Sequence, residues 1–462
     1  MLKPIQKILA AWIICAFTFL TFNQPAAAAD SGATNQVVVM ISVDGLAAFY
    51  FDDPKAEMPT IRELASKGAH ASAMRAVAPT VTWPNHTTLV TGVMPAKHGV
   101  IGNNYFDRAE GRRVTLIADP EFDKDQIVKV PTLYDVAKAD GLKTAAVRWP
   151  ATRNAKTLDW TIPDMAMPSL IKNSTPALIT ECESAGLRLD SPQRNSEEMD
   201  SVCAEIFNHI LKTHRPNLAL FHIINVDHVQ HGKGPRTPEA YAAIKAMDQQ
   251  VRLVWEELQR DYPGRATLFV VSDHGFSPVR RTILPNVVLR QAGLVGEQSK
   301  PKVEVVVQGG CAMIYVRDEA QRTEILKQVR KAFTAIPGVK VVGVADFKNY
   351  GMADPRKDPH APDLLLFADE GCAFGNTASG DEAFKDKLET SGTHGHDPHL
   401  AHLHAMFVAY GAGIKPGIQL GEISNTSVAP TIARLLNLKL PDADGPVLTK
   451  ILADETNASS KN

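Results

Sequence analysis

The sequence predicts an α/β fold, a mostly parallel sheet flanked by helices, with a smaller α+β insertion. Two observations predict it. Three strongly apolar runs each lead into an aspartate: Val37–Val43 into Asp44, Leu218–Val226 into Asp227 and Thr267–Ser272 into Asp273. Runs this apolar and β-branched are strands buried on both faces, as in a parallel sheet. Helical patterns lie among them at Met58–Lys67, Val130–Asp140 and Pro238–Gln259. Strands alternating with helices build a sheet with helices on both sides. Ligands of such sheets collect at the carboxyl ends of the strands, where all three aspartates sit.

Taken in chain order, the first segment predicts export. Lys3 and Lys7 form a basic start, Ile8–Phe22 is uncharged, and Ala26–Ala29 supplies small residues for cleavage. The uncharged run falls short of the roughly 20 residues that cross a bilayer. Cys15 lies mid-run after large residues, which speaks against lipid modification. Residues 1–29 therefore read as a signal peptide and the mature chain as periplasmic or secreted, without stable membrane insertion.

The catalytic core is expected over 30–276 and 392–450. The intervening 277–391 reads as an α+β insertion: strands at Val303–Arg317, Val339–Phe347 and Pro362–Ala368, and a helix at Glu319–Ala335. The core resumes with a strand at Leu403–Tyr410 and a helix at Val428–Leu436. Residues 451–462, polar from Asp454 onward, are an expected disordered tail.

With 44% hydrophobic and 22% charged residues the composition is globular. A net charge of -2, with no long run of one sign, argues against a nucleic-acid polymer or a membrane surface as partner. Oligomeric state is not legible. Cys182, Cys203, Cys311 and Cys372 remain after cleavage; an even count in an exported chain permits disulfides, Cys182 with Cys203 being the plausible local pair. None has C-x-x-C spacing, so a metal site would have to use other ligands.

Thr82 lies just before Pro84, a residue suited to the first turn of a helix. A helix start offers free N–H groups and the positive end of the dipole to a phosphate. By itself Thr82 also reads as an ordinary N-cap. The metal-ligand pattern changes that weighting. Asp227 and His231 are four apart, Asp273 and His274 adjacent, His394 sits in a Gly-Thr-His-Gly element, and Asp44 precedes Gly45. Carboxylate oxygens and imidazole nitrogens are what zinc takes when thiolates are absent.

These elements resemble the nucleotide pyrophosphatase/phosphodiesterase family of the alkaline phosphatase superfamily. The signature is Thr82-Trp83-Pro84-Asn85-His86, then Leu89 to Gly92, Pro95, His98-Gly99 and Asn103; the likeness runs from Val37 to about Leu438. The resemblance implies an alkaline phosphatase-like fold with two Zn²⁺, other divalent ions being possible. Asp227, His231 and His394 would hold the first ion. Asp44, Asp273 and His274 would hold the second, with the Thr82 oxygen as a further ligand. Thr82 would be the nucleophile, forming a phospho-threonine intermediate, and Asn103 would donate to a phosphate oxygen. The insertion before the last histidine would cap the site. His86, His98, His228 and His396 read as supporting or structural groups; the cluster His399, His402 and His404 has the makings of a metal site of its own, with exposed loop and strand-start positions the preferred reading.

The implied substrate is a small nucleotide-like phosphodiester or pyrophosphate. Monoesterase relatives carry a Lys and an Arg two apart; the matching stretch, Lys143 to Pro150, lacks that pair. Sulfatase relatives need a Cys or Ser in a C/S-x-P-x-R setting, and no Cys here has it. Trp83 adjoins the nucleophile, where relatives that cut nucleotides stack an aromatic on the base; simple packing is the equal alternative for it, and the relatives' second aromatic, a tyrosine, is His222 here. A phosphomonoesterase or phosphonate hydrolase remains the alternative. A binding protein without turnover is the reading of another class, against which the complete set of ligands speaks.

Overall fold

The centre of the fold is set by the strand Val37–Val43, buried at every position. Successive side chains of a strand point to opposite faces. Val37, Val39, Ile41 and Val43 enter one apolar layer with Phe207, Ile210, Val251 and Val254. Val38 and Met40 enter the opposite layer with Leu89, Leu133, Tyr134 and Ile432. Each such buried aliphatic side chain contributes roughly 1.5–3 kcal/mol relative to exposure. The computed structural model describes residues 35–117, 121–189, 194–295 and 301–454. The expected export signal lies outside the described residues.

Eight strands form the main sheet, in the order Ile418–Ser424, Ala69–Arg75, Phe407–Gly411, Ala266–Val271, Val37–Val43, Leu218–Ile223, Thr144–Trp149 and Trp160–Pro163. All neighbours are parallel except Phe407–Gly411, which runs antiparallel to both of its own. The helix Pro59–Lys67 and the pair Glu197–His214 and Pro238–Asp261 back one face. Thr82–Thr91, Leu133–Ala139 and Val428–Leu435 back the other. A second sheet of four antiparallel strands comprises Val303–Gln308, Cys311–Val316, Leu364–Ala368 and Val339–Gly343. A third contains Gly371–Phe374, Ser277–Ile283 and Phe384–Thr393.

Several expected elements are shorter or different. The run through Val226 stops as a strand at Ile223, because Asn225–Lys233 is helical. Val303–Arg317 is a hairpin turning at Gly309 and Gly310, where φ at Gly309 is +68°. The strand from Val339 ends at Gly343, and a 3₁₀ segment runs on from Val344 to Tyr350. Leu403 closes a 3₁₀ turn, so the last core strand begins only at Phe407.

The tail is not free from residue 451 onward. Ile451 is buried, Leu452 bridges Ile414, and Ala453 donates to the Gly413 carbonyl. Ile451 and Leu452 are an apolar pair that fits the core face, and this outweighs the polar character of the segment from Asp454 on. Residues 455–462 lie outside the described residues. Cys182 and Cys203 are both free thiols, as are Cys311 and Cys372. Among the described residues no helix is long and apolar enough to cross a membrane.

Candidate metal centre and active site

Two adjacent strands of the main sheet, Val37–Val43 and Ala266–Val271, lead into the first candidate ligands, Asp44 and Asp273. Asp44 N–H donates to the Ile223 carbonyl at 2.9 Å, continuing the ladder by one residue. Ser42 pairs with Val271, which carries Asp44 and Asp273 past the same edge of the sheet. Gly45 N–H donates to Asp273 Oδ1 at 3.1 Å, tying the two turns together. Gly45 has φ +68°, and a Cβ there would press on Phe276 at 3.0 Å. The turn thus needs glycine for both conformation and space.

Asp227 and His231 come from one face of the helix Asn225–Lys233, four residues and about one turn apart. Their side chains meet at 3.4 Å. His394 comes directly after the strand Phe384–Thr393, and its Nε2 lies 3.5 Å from Asp227 Oδ1 and 3.1 Å from His231 Nε2. His274 Nε2 lies 3.1 Å from Asp273 Oδ2 and 3.3 Å from Asp44 Oδ1. Its ring stacks on His394 with centroids 3.8 Å apart and 14° between planes. Donor atoms of Asp44, Asp273 and His274 fall within 4.8 Å of one another, and those of Asp227, His274 and His394 do likewise. His274 thus stands between the two groups.

Backbone carbonyls fix the three imidazoles in one tautomer. His394 Nδ1 donates to Thr80 O at 2.9 Å, His231 Nδ1 to Gly392 O at 3.2 Å and His274 Nδ1 to Gly275 O at 3.1 Å. Each therefore turns an Nε2 lone pair inward. Asp44 Oδ1, Asp227 Oδ1, Asp273 Oδ2 and His274 Nε2 are buried without a hydrogen-bond partner. Burial of unpartnered polar atoms is costly, and converging lone pairs repel. Divalent cations would satisfy both, so these residues fit a metal centre.

The electrostatics agree. Burial pushes Asp44 well above the ordinary carboxylate range, and Asp227 adds to the shift. Asp273 rises likewise through burial and the proximity of Asp44, and Asp227 through burial. Burial pushes His274 down to about 3 and His394 well below the usual imidazole value.

A cavity of about 240 Å³ opens over this cluster, and Asp44, Thr82, Asn103, Asp227, His231 and His394 line it. Thr82 is the first residue of the helix Thr82–Thr91; Val81 is the N-cap and no side chain caps that end. The simple capping role is therefore not the one Thr82 fills. Asn103 Oδ1 accepts from Trp83 N–H at 2.9 Å. Only an oxygen can accept there, so the amide orientation is fixed with its NH₂ free to donate. The same bond occupies one helix-start N–H expected to serve the substrate.

Two expected substrate contacts are placed elsewhere. Trp83 is 1% exposed, packed with Val100, Ile101 and Tyr105, and does not line the cavity. His222 is fully buried beneath the site, its Nε2 3.1 Å from Asp44 Oδ2 and its Nδ1 3.0 Å from Arg148 O. It faces Asp44 and does not line the cavity. The His399, His402 and His404 cluster does not assemble as a metal site: His399 bonds Asp397 at 2.7 Å and His402 faces Glu370 at 3.6 Å.

Sequence reasoning missed four residues of the site. Thr80 anchors the His394 turn, its carbonyl and hydroxyl both accepting from Gly395 N–H. Gln308 reaches from the second sheet, accepting Asn103 N–H at 3.1 Å and donating to Asn104 O at 2.5 Å. Asp164 and Arg194 form an ion pair of 2.5 Å on the cavity wall.

A large α/β sheet with two groups of inward-facing carboxylates and imidazoles at its carboxyl edge defines an α/β protein with a candidate metal centre. The sequence matches the type I phosphodiesterase/nucleotide pyrophosphatase family over residues 38–397, and the chain belongs to that family. It is 26% identical to venom phosphodiesterase CdcPDE of Crotalus durissus collilineatus over 90% of its own length and 47% of the relative. It is 27% identical to ectonucleotide pyrophosphatase/phosphodiesterase family member 3 of Rattus norvegicus over 52% of this chain and 24% of that one. The chain thus spans about half the length of the venom enzyme, and its match to the rat protein covers less. Its fold is similar to human ectonucleotide pyrophosphatase/phosphodiesterase 5, with a TM-score of 0.69 and 21% identity, covering 91% of this chain and all of that one. An inactive murine form of that protein is described in complex with AMP, with a TM-score of 0.68 and 19% identity, covering 90% of this chain and all of that one.

Proposed function

We propose that the chain is an exported two-zinc hydrolase that cleaves phosphodiester or pyrophosphate bonds of nucleotide-like or other small substrates. The carrying observation is the convergence of three imidazole lone pairs and three unpartnered carboxylate oxygens beside a cavity whose wall includes Thr82. Family membership and the AMP bound to the murine relative support a nucleotide-like substrate.

In this reading Asp227, His231 and His394 hold one zinc, and Asp44, Asp273 and His274 the other. When bound, the two ions would favour the ionised threonine hydroxyl and neutralise charge on the leaving oxygen. Thr82 Oγ attacks phosphorus, the ester or pyrophosphate oxygen departs, and water then cleaves the phospho-threonine. The Asn103 NH₂ donates to a non-bridging oxygen, where charge develops. Residues 277–391 act as an insertion on the core of 30–276 and 392–450, to which Ile451 to Ala453 add, and the insertion reaches the cavity through Val307, Gln308 and Gly309.

A second reading, phosphomonoester or phosphonate hydrolysis, is favoured by Arg194, a cation on the cavity wall absent from the sequence motifs. Turnover of bis-p-nitrophenyl phosphate, p-nitrophenyl phosphate and a dinucleotide separates the two. The diester reading expects the first and third to be preferred; a monoester preference of orders of magnitude overturns it. Thr82→Ala should abolish turnover with zinc content near normal, and substantial residual activity removes the nucleophile assignment.

A further inference from the structure

Away from the cavity, three side chains from two helices converge on one point. Glu181 comes from Pro176–Ser184, and His209 and His214 from Glu197–His214. His214 Nε2 lies 2.7 Å from Glu181 Oε2, and His209 Nε2 lies 3.6 Å from the same oxygen. One donor atom from each residue falls within 4.8 Å of the other two. His214 is held in plane by Trp160, stacked at 4.3 Å and 17°.

A plain ion pair accounts for His214 with Glu181 but not for the second imidazole. His209 Nε2 is buried and has no hydrogen-bond partner; 3.6 Å is beyond hydrogen-bond reach. A buried ring nitrogen aimed at an oxygen already shared with another imidazole lacks the group that would join all three.

We propose that Glu181, His209 and His214 form a separate binding site for a divalent transition cation, zinc by donor type. Two imidazole nitrogens and one carboxylate oxygen are borderline donors without thiolate, a set that suits zinc. Tetrahedral zinc bonds of about 2.0–2.1 Å put neighbouring donors roughly 3.3 Å apart. That spacing lies between the two distances to Glu181 Oε2, and all three donors already fall within 4.8 Å of one another. Glu181 is 37% and His209 23% exposed, which leaves the fourth position to water. The ion clamps the helix Pro176–Ser184 to the helix Glu197–His214. Its role is structural, so its loss should lower stability while leaving the chemistry at Thr82 intact.

The test uses the full chain and zinc alone. Crystals grown with ZnCl₂ should show an anomalous peak at the zinc edge within bonding distance of all three side chains. In solution, protein dialysed against about 10 μM ZnCl₂ should lose one zinc per chain, and the matching zinc-dependent rise in Tm, on His209→Ala and again on Glu181→Gln. Turnover by either variant should stay within about twofold. A map without density at these side chains, or an unchanged zinc count in both variants, overturns the proposal.

Discussion

The side-chain carbonyl of Asn103 accepts the backbone N–H of Trp83 at 2.9 Å. This bond links the turn before Asn104–Asp107 to the helix that begins at Thr82, and it sets the direction of the amide. With the oxygen occupied, the NH₂ is the end available on the cavity wall. Asn103→Ala should lower kcat by about 10²–10³-fold, the usual loss for one transition-state donor. Asn103→Asp keeps an acceptor for Trp83 but has no donor, so it should be at least as impaired, with zinc content unchanged. If the aspartate variant keeps kcat within twofold, Asn103 serves only to hold the helix start.

His222 separates two roles that differ in their kinetics. A residue touching the base of a substrate changes KM when removed. His222 instead bonds Asp44 Oδ2 at 3.1 Å from below. Groups that orient a metal ligand typically cost about 10–100-fold in metal affinity when lost. His222→Ala should therefore weaken zinc binding by about that factor, with KM at saturating zinc within twofold of the parent. A raised KM at full zinc occupancy would restore the substrate role.

Removal of metal should destabilise the fold. Chelation leaves Asp44 Oδ1, Asp227 Oδ1 and Asp273 Oδ2 buried without partners. At zinc one hundredfold above its Kd, linkage predicts about 2.7 kcal/mol of stabilisation per site. Calorimetry should show a Tm that falls on chelation and recovers with ZnCl₂. A Tm indifferent to chelation would contradict a metal centre built from these groups.

The pH dependence of that affinity has a definite sign. Zinc displaces protons from its ligands, so log K rises with pH by one unit per pH unit for each proton released. The three aspartates are held above their ordinary value, chiefly by burial, so competition from protons begins at higher pH than for free carboxylates. His274, pushed down to about 3 by burial, is already neutral at pH 5 and releases nothing, and burial lowers His394 in the same direction. Affinity should climb steadily from pH 5 upward, and titration calorimetry in buffers of differing ionisation heat counts the protons. A flat profile from pH 5 to 7 would show the carboxylates already ionised.

How far the site was legible depends on where each residue's partner lies. Asp44 and Asp273 were readable because a buried strand announces its own end, and Asp227 with His231 because four residues make one helical turn. Trp83 takes the packing alternative for a geometric reason. Consecutive helical residues point about 100° apart, so a helix that presents Thr82 to the cavity turns Trp83 into the core. Thr80, Gln308 and Arg194 carry no motif: Thr80 meets Gly395 from 315 positions away, and Gln308 meets Asn103 from 205. The His274–His394 stack likewise joins separate segments, and local pattern contains nothing about it.

Arg194 yields the prediction that decides the substrate. Burial alone would push Asp164 up, but the guanidiniums of Arg194 and Arg148 outweigh it and hold its carboxyl below the ordinary value. Arg148 lies 3.4 Å and Arg194 2.5 Å from Asp164 Oδ1. Arg148 is buried and also faces Asp200, so Arg194 is the cation that stands with Asp164 on the cavity wall. A phosphomonoester brings a second negative charge to that wall; a diester does not. A hydrogen bond to a charged group contributes about 1.5–3 kcal/mol, or roughly 10–100-fold. Arg194→Met should therefore lower kcat/KM for p-nitrophenyl phosphate by that factor and for bis-p-nitrophenyl phosphate by less than threefold, with Arg194→Lys between parent and Met on the monoester. Equal losses on both esters, unrelieved by lysine, would mean that Arg194 acts only by holding Asp164 in place.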